Sequence, residues 1–128
     1  MSRRYYLAGP MSGHPGHNYP AFADAADRLR KRGLIVVSPH ELHGGDTSQP
    51  WTYYLRRDLR ALLDCDWLVM LTGWESSTGA TLEHRVATQL GMPCIEYADL
   101  LATLRGDTRE PALRALLDAR ARVKAVRR

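Results

Sequence analysis

Four short apolar runs alternate with amphipathic stripes along this chain, and that alternation restricts the fold more than any other feature. Arg4–Leu7, Leu34–Val37, Trp67–Leu71 and Pro93–Tyr97 are too short for helices and lie beside Gly, Pro or Ser. Such runs read as buried strands. Between them the period changes. Pro20–Arg32 carries Phe22, Ala26 and Leu29 on one helical face, has Pro20 in its first turn and is closed by Gly33. Thr52–Leu63 repeats the stripe with Leu55, Leu59 and Leu62, and a third helix is expected from about Ala80 to Leu90, closed by Gly91. A short helix near Asp99–Leu104 and a longer one near Pro111–Val126 follow. Strands without internal alternation, separated by helices, predict a parallel sheet covered on both faces. Right-handed crossovers then give an α/β fold: a three-layer, doubly wound, flavodoxin- or Rossmann-like sheet of four to five strands.

The length of 128 residues suits one domain spanning 1–128, and 45% hydrophobic residues suffice for its core. The longest apolar runs are far too short to cross a bilayer. No apolar region follows Arg3 and Arg4, so no signal peptide is expected and the chain reads as cytoplasmic. Cys65 and Cys94 sit in apolar segments without metal-ligand spacing and read as buried thiols. The net charge of +4 is uneven, because residues 105–128 balance at +5 and the rest at −1. A basic end suggests either nucleic-acid contact or a solvated helix face. No aromatic residue interleaves with those charges, so a base-stacking surface is not expected there.

In a doubly wound sheet, ligands bind beyond the carboxyl ends of the strands. Three segments fall there: Ala8–Tyr19, Ser38–Trp51 and Thr72–Gly79. The first contains Gly9, Pro10, Met11, Ser12 and Gly13, where glycine lets backbone N–H groups approach an anion and Ser12 adds a hydroxyl. It is neither a Walker A loop nor G-x-G-x-x-G. The third puts Ser77 and Gly79 at a helix start suited to an anion, and Glu83 is expected in the first helical turn. There the dipole favours an ionised carboxylate. Glu83 thus reads as a nucleophile, or as a surface residue or capping partner. Asp58 lies near an apolar stripe and reads as a general acid, or as the partner of Arg57 or another basic neighbour. Tyr6, Tyr19, Trp51 and Trp74 can enclose a flat base or belong to the core. His40-Glu41-Leu42-His43 has no helical zinc spacing, and no metal or cofactor is expected. His14 and His17 suit a phosphate or base.

Taken together, the pieces Tyr6-Leu-Ala-Gly-Pro-Met-Ser-Gly13, Asn18-Tyr-Pro-Ala-Phe22, Tyr54-Leu-Arg-Arg-Asp58, Cys65-Asp66 and Ser77-Thr-Gly-Ala-Thr-Leu-Glu83 resemble the nucleoside 2-deoxyribosyltransferase-like superfamily, over residues 5–97. Within it the chain is similar to a short bacterial and phage family of unassigned function, related to the nucleoside 5′-monophosphate N-glycosidases. The resemblance implies that Glu83 attacks C1′ of a sugar, that Asp58 helps protonate the departing base, and that Tyr6 positions the nucleophile. It implies hydrolysis of a nucleotide, or base exchange between deoxyribonucleosides; a non-catalytic nucleotide sensor would use the same fold. Ser77 stands where transferases acting on free nucleosides tend to carry an acidic residue, and a serine there does not repel a 5′-phosphate. Related enzymes form dimers or larger assemblies, so a homo-oligomer is expected. Two departures separate the chain from the hydrolases: extra residues including Trp74-Glu75 before Glu83, and Pro10-Met11-Ser12 in the first loop.

Overall fold

The structure is a computed structural model that describes residues 3–106. The expected Pro111–Val126 helix and nearly all of the basic end lie outside the described residues. Strand β1 (Arg4–Ala8) leads through a short 3-10 turn into helix α1 (Tyr19–Lys31) and strand β2 (Ile35–Val37). Helices α2 (Pro39–Leu42) and α3 (Trp51–Leu63) precede β3 (Trp67–Met70). A second 3-10 turn leads into α4 (Thr78–Gln89), β4 (Cys94–Glu96) and α5 (Tyr97–Leu104).

The four strands form one parallel sheet in the order β2-β1-β3-β4. Their composition explains that order. All four residues of β3 are buried, as are the last three of β1, so these two strands occupy the centre. The edge strands β2 and β4 each bury one residue fully. Because side chains alternate along a strand, β1 feeds two separate cores. Leu7 packs with Phe22, Ala25 and Leu29 of α1 and Leu100 of α5. Tyr6 and Ala8 pack with Leu62 of α3 and Ala80 and Ala87 of α4. The result is the expected three-layer, doubly wound α/β arrangement, with four strands among the described residues. No helix among them is long and apolar enough to cross a membrane.

The differences from the sequence reading are local. Residues 39–42 form a short helix where a polar loop was expected. Helix α4 starts at Thr78, two residues before the expected Ala80, because Ser77 caps it: its hydroxyl oxygen accepts the Ala80 N–H at 3.1 Å.

The order in which strands join the sheet reverses between β1 and β3. From β1 the chain crosses to β2 over one face, and from β2 it returns over the other to reach β3. The loops leaving β1 and β3 therefore diverge at a switch point, which opens a crevice at their carboxyl ends. Gly9 sits at its root. A Cβ there would lie 2.9 Å from Leu71 Cβ and 3.3 Å from Phe22 Cζ. Only a hydrogen side chain lets the two loops close against each other, and the Leu71 N–H donates to the Ala8 carbonyl at 2.8 Å. Gly9→Ala is expected to destabilise the fold by about 1–3 kcal/mol through overpacking, read as a lower urea midpoint at unchanged slope.

Candidate active site

The crevice holds a cavity of about 640 Å³, within the range of small-ligand sites. The loop after β1 lines it with Gly9, Pro10, Met11, Ser12, His14 and His17. The β2–α3 connection adds His43, Asp46, Thr47 and Gln49, and α3 adds Trp51, Tyr54, Leu55 and Asp58. The N-terminal part of α4 closes it with Ser77, Thr78, Gly79, Ala80 and Glu83. The three segments singled out from the sequence thus meet at one place.

Glu83 differs in placement from the sequence reading. The helix starts early, so the residue lies in the second turn, and the first turn of α4 holds no acidic residue. Its environment is burial rather than the exposed end of the dipole. Glu83 is 5% exposed, and Tyr6, fully buried on β1, donates its hydroxyl to Oε2 at 2.5 Å. Burial pushes the carboxyl up to about 8, opposed by the Tyr6 hydrogen bond and reinforced by the charge of Asp58. Desolvation wins, so the protonated acid is favoured at neutral pH. Tyr6 itself is held well above the usual phenol value by burial and by Glu83, and it remains a donor.

Asp58 also departs from its ordinary behaviour. Burial raises its carboxyl to about 7, against the pull of the neighbouring Arg57 charge. Its hydrogen-bond partner is His43, with Nε2 2.8 Å from Oδ1, and not Arg57. The two carboxyls therefore titrate close together in one cavity, a recurrent property of acid–base sites.

Several expected binding residues separate at this level. Trp51 and Tyr19 line the cavity, joined by Tyr54. Trp74 does not. Half-buried in the turn at residues 74–76, its ring packs against the edge of the α3/α4 core and lies 4.5 Å from that of His84. Gly13 also lies outside the lining; it is solvent-exposed with φ +80°, and its role is to turn the loop. Tyr6 sits below the cavity and reaches it through Glu83. The segment 40–43 is divided among unrelated contacts. His40 Nδ1 meets Ser38 Oγ at 2.5 Å, Glu41 pairs with Arg30, and His43 turns to Asp58. Among the described residues, no three His, Cys, Asp or Glu side chains are grouped to hold a metal ion.

The first loop is held in an uncommon shape. Gly16, His17 and Asn18 all adopt left-handed backbone conformations, costing roughly 1–2 kcal/mol for each non-glycine residue. The Asn18 side-chain amide donates to the Pro10 carbonyl at 2.9 Å and fixes the loop over the crevice. His17 is thereby placed at the cavity, its ring 5.7 Å from that of Tyr19.

Residues 3–96 match a family described as a domain of unknown function, DUF4406. The chain belongs to that family. No curated protein matches it by sequence. Among solved structures, a 2-deoxyribosyltransferase from the psychrotolerant bacterium Bacillus psychrosaccharolyticus aligns with a TM-score of 0.58 at 22% identity, over 73% of this chain and 70% of that one. The likeness establishes a nucleoside deoxyribosyltransferase-like fold for this DUF4406 member.

The buried Glu83 has a measurable consequence for stability. At pH below its ordinary value of 4.5 the carboxyl is protonated in folded and unfolded chains alike. As pH rises, the unfolded chain ionises first, so stability is lost progressively up to about 8. Glu83→Gln removes this loss. The variant is expected to match the wild type in Tm near pH 4 and to exceed it at pH 8, by more than about 1 kcal/mol in unfolding free energy. Calorimetry at both pH values checks this; equal Tm differences at both would rule out a buried, titrating Glu83.

Proposed function

We propose that this protein cleaves the base–sugar bond of a nucleoside or deoxynucleoside 5′-monophosphate, with Glu83 as nucleophile. The observation that carries this reading is a cavity-lining glutamate held by a buried tyrosine, with a second carboxyl of raised pKa in the same cavity. Two carboxyls with different tasks are what retaining glycosyl chemistry requires. Glu83 attacks C1′ as the bond from C1′ to the base nitrogen breaks, and Asp58 gives its proton to the leaving base. Water then attacks C1′ of the ester, its proton passing to Asp58, and frees Glu83 and a sugar 5-phosphate.

The phosphate end is supported by the start of α4. Ser77 Oγ accepts the Ala80 N–H, so its own hydroxyl proton remains available to a ligand. Thr78 and Gly79 present the helix N-terminus, and Ser12 faces the same cavity. Among the described residues no Lys or Arg lines this cavity. Anion binding then rests on hydroxyls, backbone dipoles, His14 and His17. Base exchange with a second nucleobase is the alternative, supported by the fold shared with the 2-deoxyribosyltransferase. The protein would act on a small molecule as a homo-oligomer, without a cofactor.

Incubation with a panel of nucleotides, followed by chromatography for free base, tests the reading. Wild type is expected to release base from at least one nucleotide, and Glu83→Ala to lose about 10³-fold or more. Release by the variant at the wild-type rate would remove Glu83 from the mechanism. A new nucleoside formed when a second base is added would favour transfer over hydrolysis.

The active form needs Glu83 ionised and Asp58 protonated. The dependence of kcat/KM on pH should therefore be bell-shaped, with limbs near about 7 and about 8 that belong to the pair. A profile flat from pH 6 to 9 would contradict the paired-carboxyl mechanism. Ser12→Ala is expected to raise KM more than it lowers kcat if its contact is equally strong in the ground and transition states.

A further inference from the structure

The connection between β2 and α3 places one imidazole where neither helical period nor motif spacing pointed. His43 follows the last residue of α2, is 8% exposed and reaches across to α3. There its Nε2 lies 2.8 Å from Asp58 Oδ1, and its ring stands edge-on to Tyr54, with centroids 4.7 Å apart at 80°. Tyr54 and Asp58 are four residues apart, so they share a face of α3 and clasp the ring between them. His43 Nδ1 is buried and has no hydrogen-bond partner among the described residues.

We propose that His43 is the positioning residue for Asp58, donating from Nε2 to Oδ1 so that the acid proton resides on Oδ2. This inference rests on the reading of Asp58 as the general acid. Its basis is the fate of the two ring nitrogens. Burial disfavours the imidazolium, as does the Arg57 charge on α3, while Asp46 in the following loop opposes them. In the neutral ring one nitrogen carries the proton. A buried N–H without an acceptor is rarer in proteins than an unfilled acceptor, which puts the proton on Nε2. The opposite tautomer would make Asp58 the donor at Oδ1 and turn its proton toward the histidine. With Nε2 donating, Oδ1 is occupied. Oδ2, with no hydrogen-bond partner among the described residues, is then the oxygen that can offer a proton to a ligand in the cavity Asp58 lines. Besides His43, the charge of Arg57 beside it acts on the Asp58 carboxyl, and the Asp58 charge in turn bears on Glu83, Tyr6 and Tyr19 from the surrounding elements.

Two measurements decide the inference. Nitrogen-15 NMR of histidine-labelled, full-length protein is expected to show His43 as the Nε2–H tautomer from pH 6 to 8, with or without turnover. Finding the Nδ1–H tautomer overturns the proposal, even in a protein that releases no base. The second measurement compares variants. His43→Phe keeps a ring and removes the donor, whereas His43→Gln returns an N–H near the position of Nε2 without titrating. An N–H donated to a carboxylate favours the ionised form. His43→Phe should therefore move the Asp58 titration, followed by carboxyl carbon-13 shifts, to higher pH, and His43→Gln should restore it. In turnover, His43→Phe is expected to lower kcat by on the order of 10²-fold with KM within about 2-fold, and His43→Gln to recover most of the loss. Equal impairment of both variants, or an unmoved Asp58 titration in His43→Phe, overturns the proposal. Failure of the parent reading looks different: the NMR results hold, yet wild type leaves every nucleotide in the panel intact.

Discussion

The hydrogen bond from Tyr6 to Glu83 crosses from the central strand of the sheet to the second turn of α4, and the site is organised around it. Both partners are buried, and each needs the other. A phenol enclosed in the α3/α4 core without an acceptor would bear an uncompensated desolvation penalty. A carboxylate there without a donor would fare worse. Even with Tyr6, raising the carboxyl from 4.5 to about 8 amounts to on the order of 5 kcal/mol against its ionised form. The two apolar clusters that flank the sheet supply the stability against which that cost is set. The register of β1 with β3, Tyr6 opposite Leu68, fixes the height at which the phenol meets α4. A slip of one residue would turn Tyr6 to the other face.

The rest of the cavity follows from where the strand order reverses. The loops after β1 and β3 diverge at the switch point, and at its root Gly9 lets the first pack against Leu71 and against Phe22 of α1. Above that contact the first loop turns through three left-handed residues, held by Asn18 to Pro10. The strain is local and lies at the cavity wall, where backbone in sparsely populated conformations tends to serve a ligand. The opposite wall is helical: α3 contributes Asp58 and Tyr54 from one face, and α4 contributes its N-terminal turn and Glu83.

Much of this was legible in the sequence because period and punctuation are local. The β-branched and apolar runs, Gly33 and Gly91 marked the elements, and the strand ends marked the loops that line the site. What local pattern does not carry is depth. A helix start moved by two residues took Glu83 from a first-turn carboxylate, governed by the dipole, to a second-turn carboxyl governed by burial. The same limit applies to Trp74, whose ring stands beside a loop that lines the cavity yet packs half-buried against the core. His43 and Asp58 lie fifteen residues apart with a helix boundary between them, so no spacing rule pairs them. Only the packing of the β2–α3 connection onto α3 does so. A buried histidine beside an acidic position on an apolar stripe is the nearest thing to a signal, and it does not specify the partner.

The charge balance of the cavity bears directly on the proposed substrate. Its described lining holds three carboxyl groups, Asp46, Asp58 and Glu83, and no lysine or arginine. A phosphate dianion entering such a site would be repelled if all three were ionised. Burial lessens that conflict, because Glu83 and Asp58 both hold their protons into the neutral range. It also creates a second one, since the proposed nucleophile must be ionised. The arrangement reconciles them by separating the tasks in space. In the proposed reading the anion binds at the capped start of α4, among hydroxyls and backbone dipoles. Glu83 lies a turn further along, where the 2.5 Å bond from Tyr6 stabilises its anion once the proton has left. Positive charge developing at C1′ as the base departs would then complement that anion, so its electrostatic stabilisation is greatest in the transition state.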